Sequence, residues 1–300
     1  MSKIKSISRY TTTYNRANVY DDTIIESKYQ ASYLEMDEQG NIVEDKTFDS
    51  DENIENVIKR VFDSDNKMIE ESLFDGSDDE PYEIRQFAYN EKGALSSGKI
   101  SYQEDDVILK YIYSPEGKLL RKEITLPDGT LYIDEEYEWE NDNLIKLTEY
   151  DEGDPAITKE MGYNEDGLIV EIKTKEHFNN DSSSEKYEYE GNQVVRQASF
   201  NYRGDLMTSI ENEYAKELLV VKSVETSTQF FRHIYQYDID GRKIQESIMN
   251  CDDLVLTDYI TEYNSDGLEL NTKIYSLNIV DNDDELILIE QYSYEYTFFD

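Results

Sequence analysis

Cysteine, proline, histidine and tryptophan are nearly missing from this chain, with 1, 4, 2 and 1 copies in 300 residues. A lone Cys251 excludes an internal disulfide framework and fits a reducing compartment. Its setting, Asn250-Cys251-Asp252-Asp253, is not the electropositive one that a catalytic thiol requires. Two histidines, His177 and His233, stand far apart in the chain and cannot complete a Cys/His zinc cluster. No Gly-rich phosphate loop occurs. No stretch approaches the 18 apolar residues of a membrane-spanning helix. The opening Met1-Ser2-Lys3-Ile4-Lys5 lacks the apolar run of a signal peptide, so a cytoplasmic chain is expected.

Carboxylates and tyrosines are what the chain has. Sixty-eight Asp and Glu against 29 Lys and Arg give a formal charge of -39. Such a surface repels phosphate backbones and anionic membranes, so neither nucleic acid nor membrane is an expected partner. It attracts a basic protein, and it also keeps a strand-rich chain soluble. The mean hydropathy is -0.77, and 26 Tyr dominate the apolar material. An interior built from phenol rings must find partners for their hydroxyls.

The tyrosines mark a repeat. Tyr235-Gln236-Tyr237-Asp238-Ile239-Asp240-Gly241-Arg242-Lys243-Ile244 joins an alternating aromatic run, a carboxylate-rich turn and a resuming apolar strand. Related units start at Met36, Phe62, Tyr89, Tyr113, Trp139, Tyr163, Tyr189, Tyr214 and Tyr263, at intervals of 23 to 27 residues. Four residues after the anchor stand Gly40, Gly93, Gly117, Gly167, Gly241 and Gly267, with Asn66 and Asn143 as substitutes. Gly and Asn tolerate a left-handed backbone that costs other residues roughly 1–2 kcal/mol. The spacing therefore predicts a tight hairpin turn with a bulge at each of these positions. The units at Tyr189 and Tyr214 depart from it, with a shortened turn and with Leu218 in the Gly position. Looser returns such as Gly76 to Pro81, Gly153-Asp154-Pro155 and Asn179 to Ser184 close the other ends. The helical spacing of Ile54, Val57, Ile58 and Val61 competes with the repeat, which assigns this segment to a strand.

The expected fold is all-β: about ten antiparallel hairpins of about 25 residues in a curled, elongated sheet, its concave side lined by Tyr. A parallel β-solenoid is the alternative. Residues 1–32 carry the repeat poorly and read as an N-terminal capping segment, and residues 33–300 as a single repeat domain. Within strands the faces separate, Tyr137 and Trp139 opposing Glu136, Glu138 and Glu140, and Tyr187 and Tyr189 opposing Glu188.

Tyr237-Asp238-Ile239-Asp240-Gly241-Arg242 resembles the YD repeat of the RHS family, the other copies being looser relatives. The resemblance spans about residues 33 to 275. It is also similar to the tyrosine-glycine hairpins of MORN-like bacterial antitoxin components. RHS proteins wind such hairpins into shells around a toxic cargo, which this chain is too short to enclose. The resemblance implies a binding scaffold and carries over no catalytic residue.

No enzyme, metal or cofactor is expected. Asp238-Ile239-Asp240-Gly241 resembles part of a calcium loop, but Gln236 and Lys273 stand where the EF-hand registers require acids. Carboxylate pairs are too numerous to single out an acid–base site. The favoured function is a protein-binding module, most concretely a bacterial immunity or antitoxin-type protein neutralising a basic effector. Its expected contacts are Glu136, Glu138, Glu140, Glu188, Asp78, Asp79 and Glu80. A carbohydrate-binding cell-surface protein and a glycoside-acting enzyme are the alternatives.

Overall fold

The computed structural model describes residues 3–18, 21–102, 105–278 and 285–300. Among them are twenty-two β-strands and no helix. The chain divides into two compact units, Met1–Ile84 with Phe231–Asp300, and Arg85–Phe230.

The first unit opens with β1 (Ile4–Asn18), β2 (Asp21–Met36), β3 (Ile42–Phe48), β4 (Ile54–Phe62) and β5 (Met68–Asp75). Strand β6 (Glu83–Tyr89) runs across the boundary between the units. The second unit holds β7 (Leu95–Tyr102), β8 (Asp105–Tyr113), β9 (Leu119–Thr125), β10 (Leu131–Glu140) and β11 (Asn143–Asp151). It continues with β12 (Asp154–Tyr163), β13 (Ile169–Glu176), β14 (Asp181–Glu190), β15 (Gln193–Phe200), β16 (Leu206–Ala215) and β17 (Leu218–Thr226). The first unit resumes at Phe231, within β18 (Phe230–Tyr237), and ends with β19 (Lys243–Met249), β20 (Val255–Tyr263), β21 (Glu269–Leu277) and β22 (Leu286–Phe298).

Every described pairing between sequence neighbours is antiparallel, as in β2–β3, β8–β9 and β20–β21. This excludes the parallel solenoid. All strands belong to one sheet, and its two chain ends meet: β1 pairs with β2 on one side and with β22 on the other. The first and last strands are therefore paired with each other, and the expected curled, elongated sheet with free ends is overturned. The physical reason lies in the edges. An unpaired terminal strand exposes a row of N–H and C=O groups, and joining first to last satisfies both rows at once. The seam is long, running from Ile4↔Phe298 to Thr13↔Glu290, and the Ser6 and Thr297 hydroxyls meet across it at 2.6 Å.

Segment 54–62 is strand β4, so the repeat prevails over the helical spacing. Two assigned returns are also strand: Asp154 and Pro155 open β12, and Ser182, Ser183 and Ser184 lie inside β14. Few side chains are withdrawn from water. The buried hydrophobic residues among those described are Ala31, Val57, Phe74, Leu109 and Ile274, and none of the large side chains is fully enclosed. Hydrogen bonding must therefore define much of the fold.

Candidate functional site

The repeat motif has a structural role at every position. Gly40, Gly93, Gly117, Gly167, Gly241 and Gly267 have φ between 78° and 94°, and Asn66 has 61°. In the turn at 238–242, Gly241 donates its N–H to the Asp238 carbonyl at 3.1 Å, and Asp238 donates to the Arg242 carbonyl at 2.9 Å. The Asp238 carboxylate accepts the backbone N–H groups of Asp240 and Arg242, both at 2.9 Å. Asp37, Asp63, Asn90, Asn164 and Asn264 do the same two and four residues ahead. An acceptor oxygen is all this turn needs, so Asp and Asn interchange. Arg242 clamps its own turn through Asp238 at 2.6 Å and lies 5.1 Å over the ring of the next anchor, Tyr263.

The position assigned to Asn143 is corrected. Asn143 starts β11, and the positive φ of 52° belongs to Asn141 in a two-residue turn. The same shorter turn forms at Gly191 (φ 60°) and at Lys216 (φ 61°), which explains the two departing units.

The anchor ring has two further duties. A bulge falls immediately before it in nine hairpins, and the residue left unpaired on the returning strand is always Val, Ile or Leu: Val43, Ile69, Leu120, Ile145, Val170, Val195, Val220, Ile244 and Leu270. The anchor's polar tip then reaches back one repeat. Tyr163 donates to the Leu144 carbonyl at 2.7 Å, Tyr189 to Ile169 at 2.7 Å, Tyr263 to Lys243 at 2.9 Å, and the Trp139 indole to Leu119 at 2.7 Å. Each acceptor sits two residues beyond the last position that its strand pairs with the following strand, as Leu144 does beyond Lys146↔Glu160. The side chain thus caps a carbonyl that the splayed hairpin leaves over.

The acidic residues expected to meet a partner fall in both units. Asp78, Asp79 and Glu80 lie exposed in the loop between β5 and β6, in the first unit. Glu136, Glu138, Glu140 and Glu188 belong to the second. There the register places Glu138, Lys146, Glu160, Lys173 and Ser184 in one row across β10 to β14. Glu188 shares that face, but four strand spacings, or roughly 19 Å, separate β14 from β10. The face is mixed in sign rather than carboxylate alone. Glu138 pairs with Lys146 at 2.7 Å, Glu171 with Lys173 at 3.1 Å, and Glu136 accepts the Tyr150 hydroxyl at 2.6 Å. That hydrogen bond, followed by burial, pushes the Tyr150 phenol up to about 12. Burial first and then Glu185 do the same to Tyr187, and burial with Glu246 to Tyr235, each to about 12.

Further exposed acids stand at the turns. Glu38, Asp65, Asp240 and Asp266 mark the anchor turns of the first unit, and Glu91, Glu116, Asp142, Glu165 and Asp166 those of the second. Successive turns along a rim lie two strands, about 10 Å, apart. Lys118 meets Asp142 at 3.1 Å and Arg242 meets Asp240 at 2.9 Å.

Of the groups that carry chemistry, His177 touches Thr158 at 2.9 Å, His233 touches Glu246 at 3.1 Å, and Cys251 is exposed. Among the described residues no cluster of three or more His, Cys, Asp or Glu is placed to hold a metal.

No family model matches the chain, and no curated protein is similar to it at a significant level. Solved structures give distant likenesses. A TcdB2-TccC3-TEV structure is 12% identical with a TM-score of 0.40, over 85% of this chain and 15% of that one. A porin-like protein from Bacteroides uniformis is 8% identical with a TM-score of 0.35, over 99% of both chains. A DUF1329 family protein from Desulfovibrio piger is 9% identical with a TM-score of 0.22, over 98% of this chain and 84% of that one. This chain spans less than a sixth of the TcdB2-TccC3 chain's length.

Proposed function

We propose that the chain is a non-enzymatic scaffold, built from YD-type hairpins, that binds a cationic protein through its acidic turns. The observation that carries this reading is the placement of charge. Motif residues are consumed in holding the turns, whereas the variable turn positions point exposed carboxylates outward at regular spacing. A net charge of -39 steers a basic partner toward such a rim, and short-range contacts then fix it. A basic toxin neutralised by an immunity-type protein is the most concrete partner of this kind.

Spanning a membrane does not suit the strands. Among the described residues no helix is long and apolar enough to cross one. Strand β14 carries Lys186 and Glu188 on one face and Glu185 on the other, so neither face could meet lipid uncharged. A lysine held at mid-bilayer on a barrel's lipid face costs about 2–4 kcal/mol.

The test is capture from extracts of the native host on the immobilised chain, followed by association kinetics with the purified partner. The expected partner is a basic effector whose activity falls on binding. Its association rate should drop at least tenfold between about 0.05 and 0.3 M salt, as the screening length shrinks. Retention on glycan columns with no protein partner at any salt would contradict the proposal, as would a partner whose association ignores salt.

A further inference from the structure

In the second unit one groove gathers lysines on an otherwise acidic molecule. It lies where β12, β13 and β14 approach the turns at 177–180 and 201–205, with a volume of about 580 Å³. Lys146, Lys173, Lys175 and His177 line it, against a single lining carboxylate, Glu160. Hydroxyls are interspersed: Ser182 stands directly across from Lys175, Ser184 from Lys173, and Thr158 holds His177 at 2.9 Å. At the mouth Tyr202 is 58% exposed, with Arg203 stacked on its ring at 5.0 Å and donating to its hydroxyl at 2.6 Å.

We infer that this groove is a binding site for a small molecule bearing a tetrahedral oxyanion, a phosphate or sulfate ester. Four considerations select that class. Lysine is a compact point charge with three donors, suited to a tetrahedral anion, whereas planar carboxylates favour the guanidinium fork. Lysines fill the groove and the one arginine nearby is engaged by Tyr202. The volume fits a ligand of sugar-phosphate size. An extended polyanion is excluded because the remaining -39 charge repels it, but that field is screened beyond about 8 Å at physiological salt, so a small anion responds to the nearest groups.

Three carboxylates, Glu160, Glu138 and Glu171, stand against Lys146, Lys173 and Lys175, so an anion enters by exchanging with exposed ion pairs, which are worth little. Glu138 is held by Lys146 at 2.7 Å and Glu171 by Lys173 at 3.1 Å, while Asp205 accepts from Asn201 at 3.1 Å. Lys175 and His177 have hydroxyl neighbours, Ser182 and Thr158. In this arrangement Lys175, joined by Lys173 on release from Glu171, holds the oxyanion, Ser182 and Ser184 donate to it, and the Tyr202 ring packs against the organic part.

Titration calorimetry with inorganic phosphate, sulfate and glucose 6-phosphate, and with glucose as the neutral control, tests the assignment. Binding of all three anions in the millimolar range or tighter is expected, with none for glucose. The exposed double variant Lys173→Glu/Lys175→Glu should weaken it at least tenfold while keeping the far-ultraviolet spectrum. Lys110→Glu, on β8 away from the groove, should leave it unchanged. A preference for glucose 6-phosphate over phosphate that Tyr202→Ala abolishes would assign the ring its role. No binding of any anion at 10 mM on the order of weak-site concentrations, or binding that the double variant retains, overturns the proposal. Neither result depends on whether a cationic protein partner exists.

Discussion

At the scale of single residues, the turn chemistry is redundant in one way and strict in another. The residue after the anchor supplies only an acceptor oxygen, so Asp63→Asn should be nearly neutral in a chemical denaturation curve. Asp63→Ala removes the bonds from Asp65 at 2.8 Å and Lys67 at 3.0 Å and should shift the unfolding midpoint to lower denaturant. Equal losses in both variants would show that charge, not the acceptor, matters. The fourth position is strict because of its backbone. A Cβ at Gly241 would meet nothing within 4 Å, so the penalty of Gly241→Ala is conformational alone, about 1–2 kcal/mol at φ 79°. Gly241→Asn should recover most of it, since Asn66 adopts the same conformation. These roles were legible in the sequence because Gly and Asn recur at a fixed offset from an aromatic. Asn143 misled for the same reason: it fits the offset, but its hairpin is shorter and its neighbour Asn141 takes the left-handed turn.

At the scale of the hairpin, the aromatic anchor is a tether between repeats as well as an apolar ring. Tyr189→Phe keeps the ring and deletes the bond to the Ile169 carbonyl, so a loss of about 1 kcal/mol is expected. Alkaline titration probes the other phenols of the sheet. Tyr150, Tyr187 and Tyr235 are held up to about 12, against an ordinary value near 10. The folded state therefore favours the neutral phenol. Its contribution is whole below about pH 10 and is lost as pH rises through 12. Melting temperatures should fall between pH 10 and 12, with part of the phenolate absorbance at 295 nm appearing only above pH 11. Uniform titration near 10 without destabilisation would show that these rings are not held as described. The alternation of Tyr and Glu announced the strands, but not these links. The unpaired Val, Ile or Leu and the capped carbonyl exist only once the register is known, and a one-residue bulge is invisible to period-two counting. The lysine-lined groove escaped for the same reason: Lys146, Lys173 and Lys175 are scattered in sequence, and pairing across β11 to β13 collects them.

At the scale of the whole molecule, a repeat of about 25 residues dictates who pairs with whom inside the array, but not whether its ends meet. That decision is made by β1 and β22, which are 15 and 13 residues long. The aromatic run Tyr292-Ser293-Tyr294-Glu295-Tyr296 held the clue. Tyr296 donates to the Glu269 carbonyl at 2.9 Å, the place that a next repeat's anchor would fill, and β22 then pairs with β1 instead of making another turn. Closure can be tested by cross-linking the two ends. Cys251→Ser removes the native thiol, and Ser6→Cys with Thr297→Cys places two thiols where hydroxyls already stand 2.6 Å apart. Pairing of β1 with β22 predicts near-complete intramolecular disulfide formation under mild oxidation in dilute solution, with the β-sheet spectrum unchanged. Persistent free thiols at 6 and 297 in the folded protein, or only intermolecular cross-links, would contradict it.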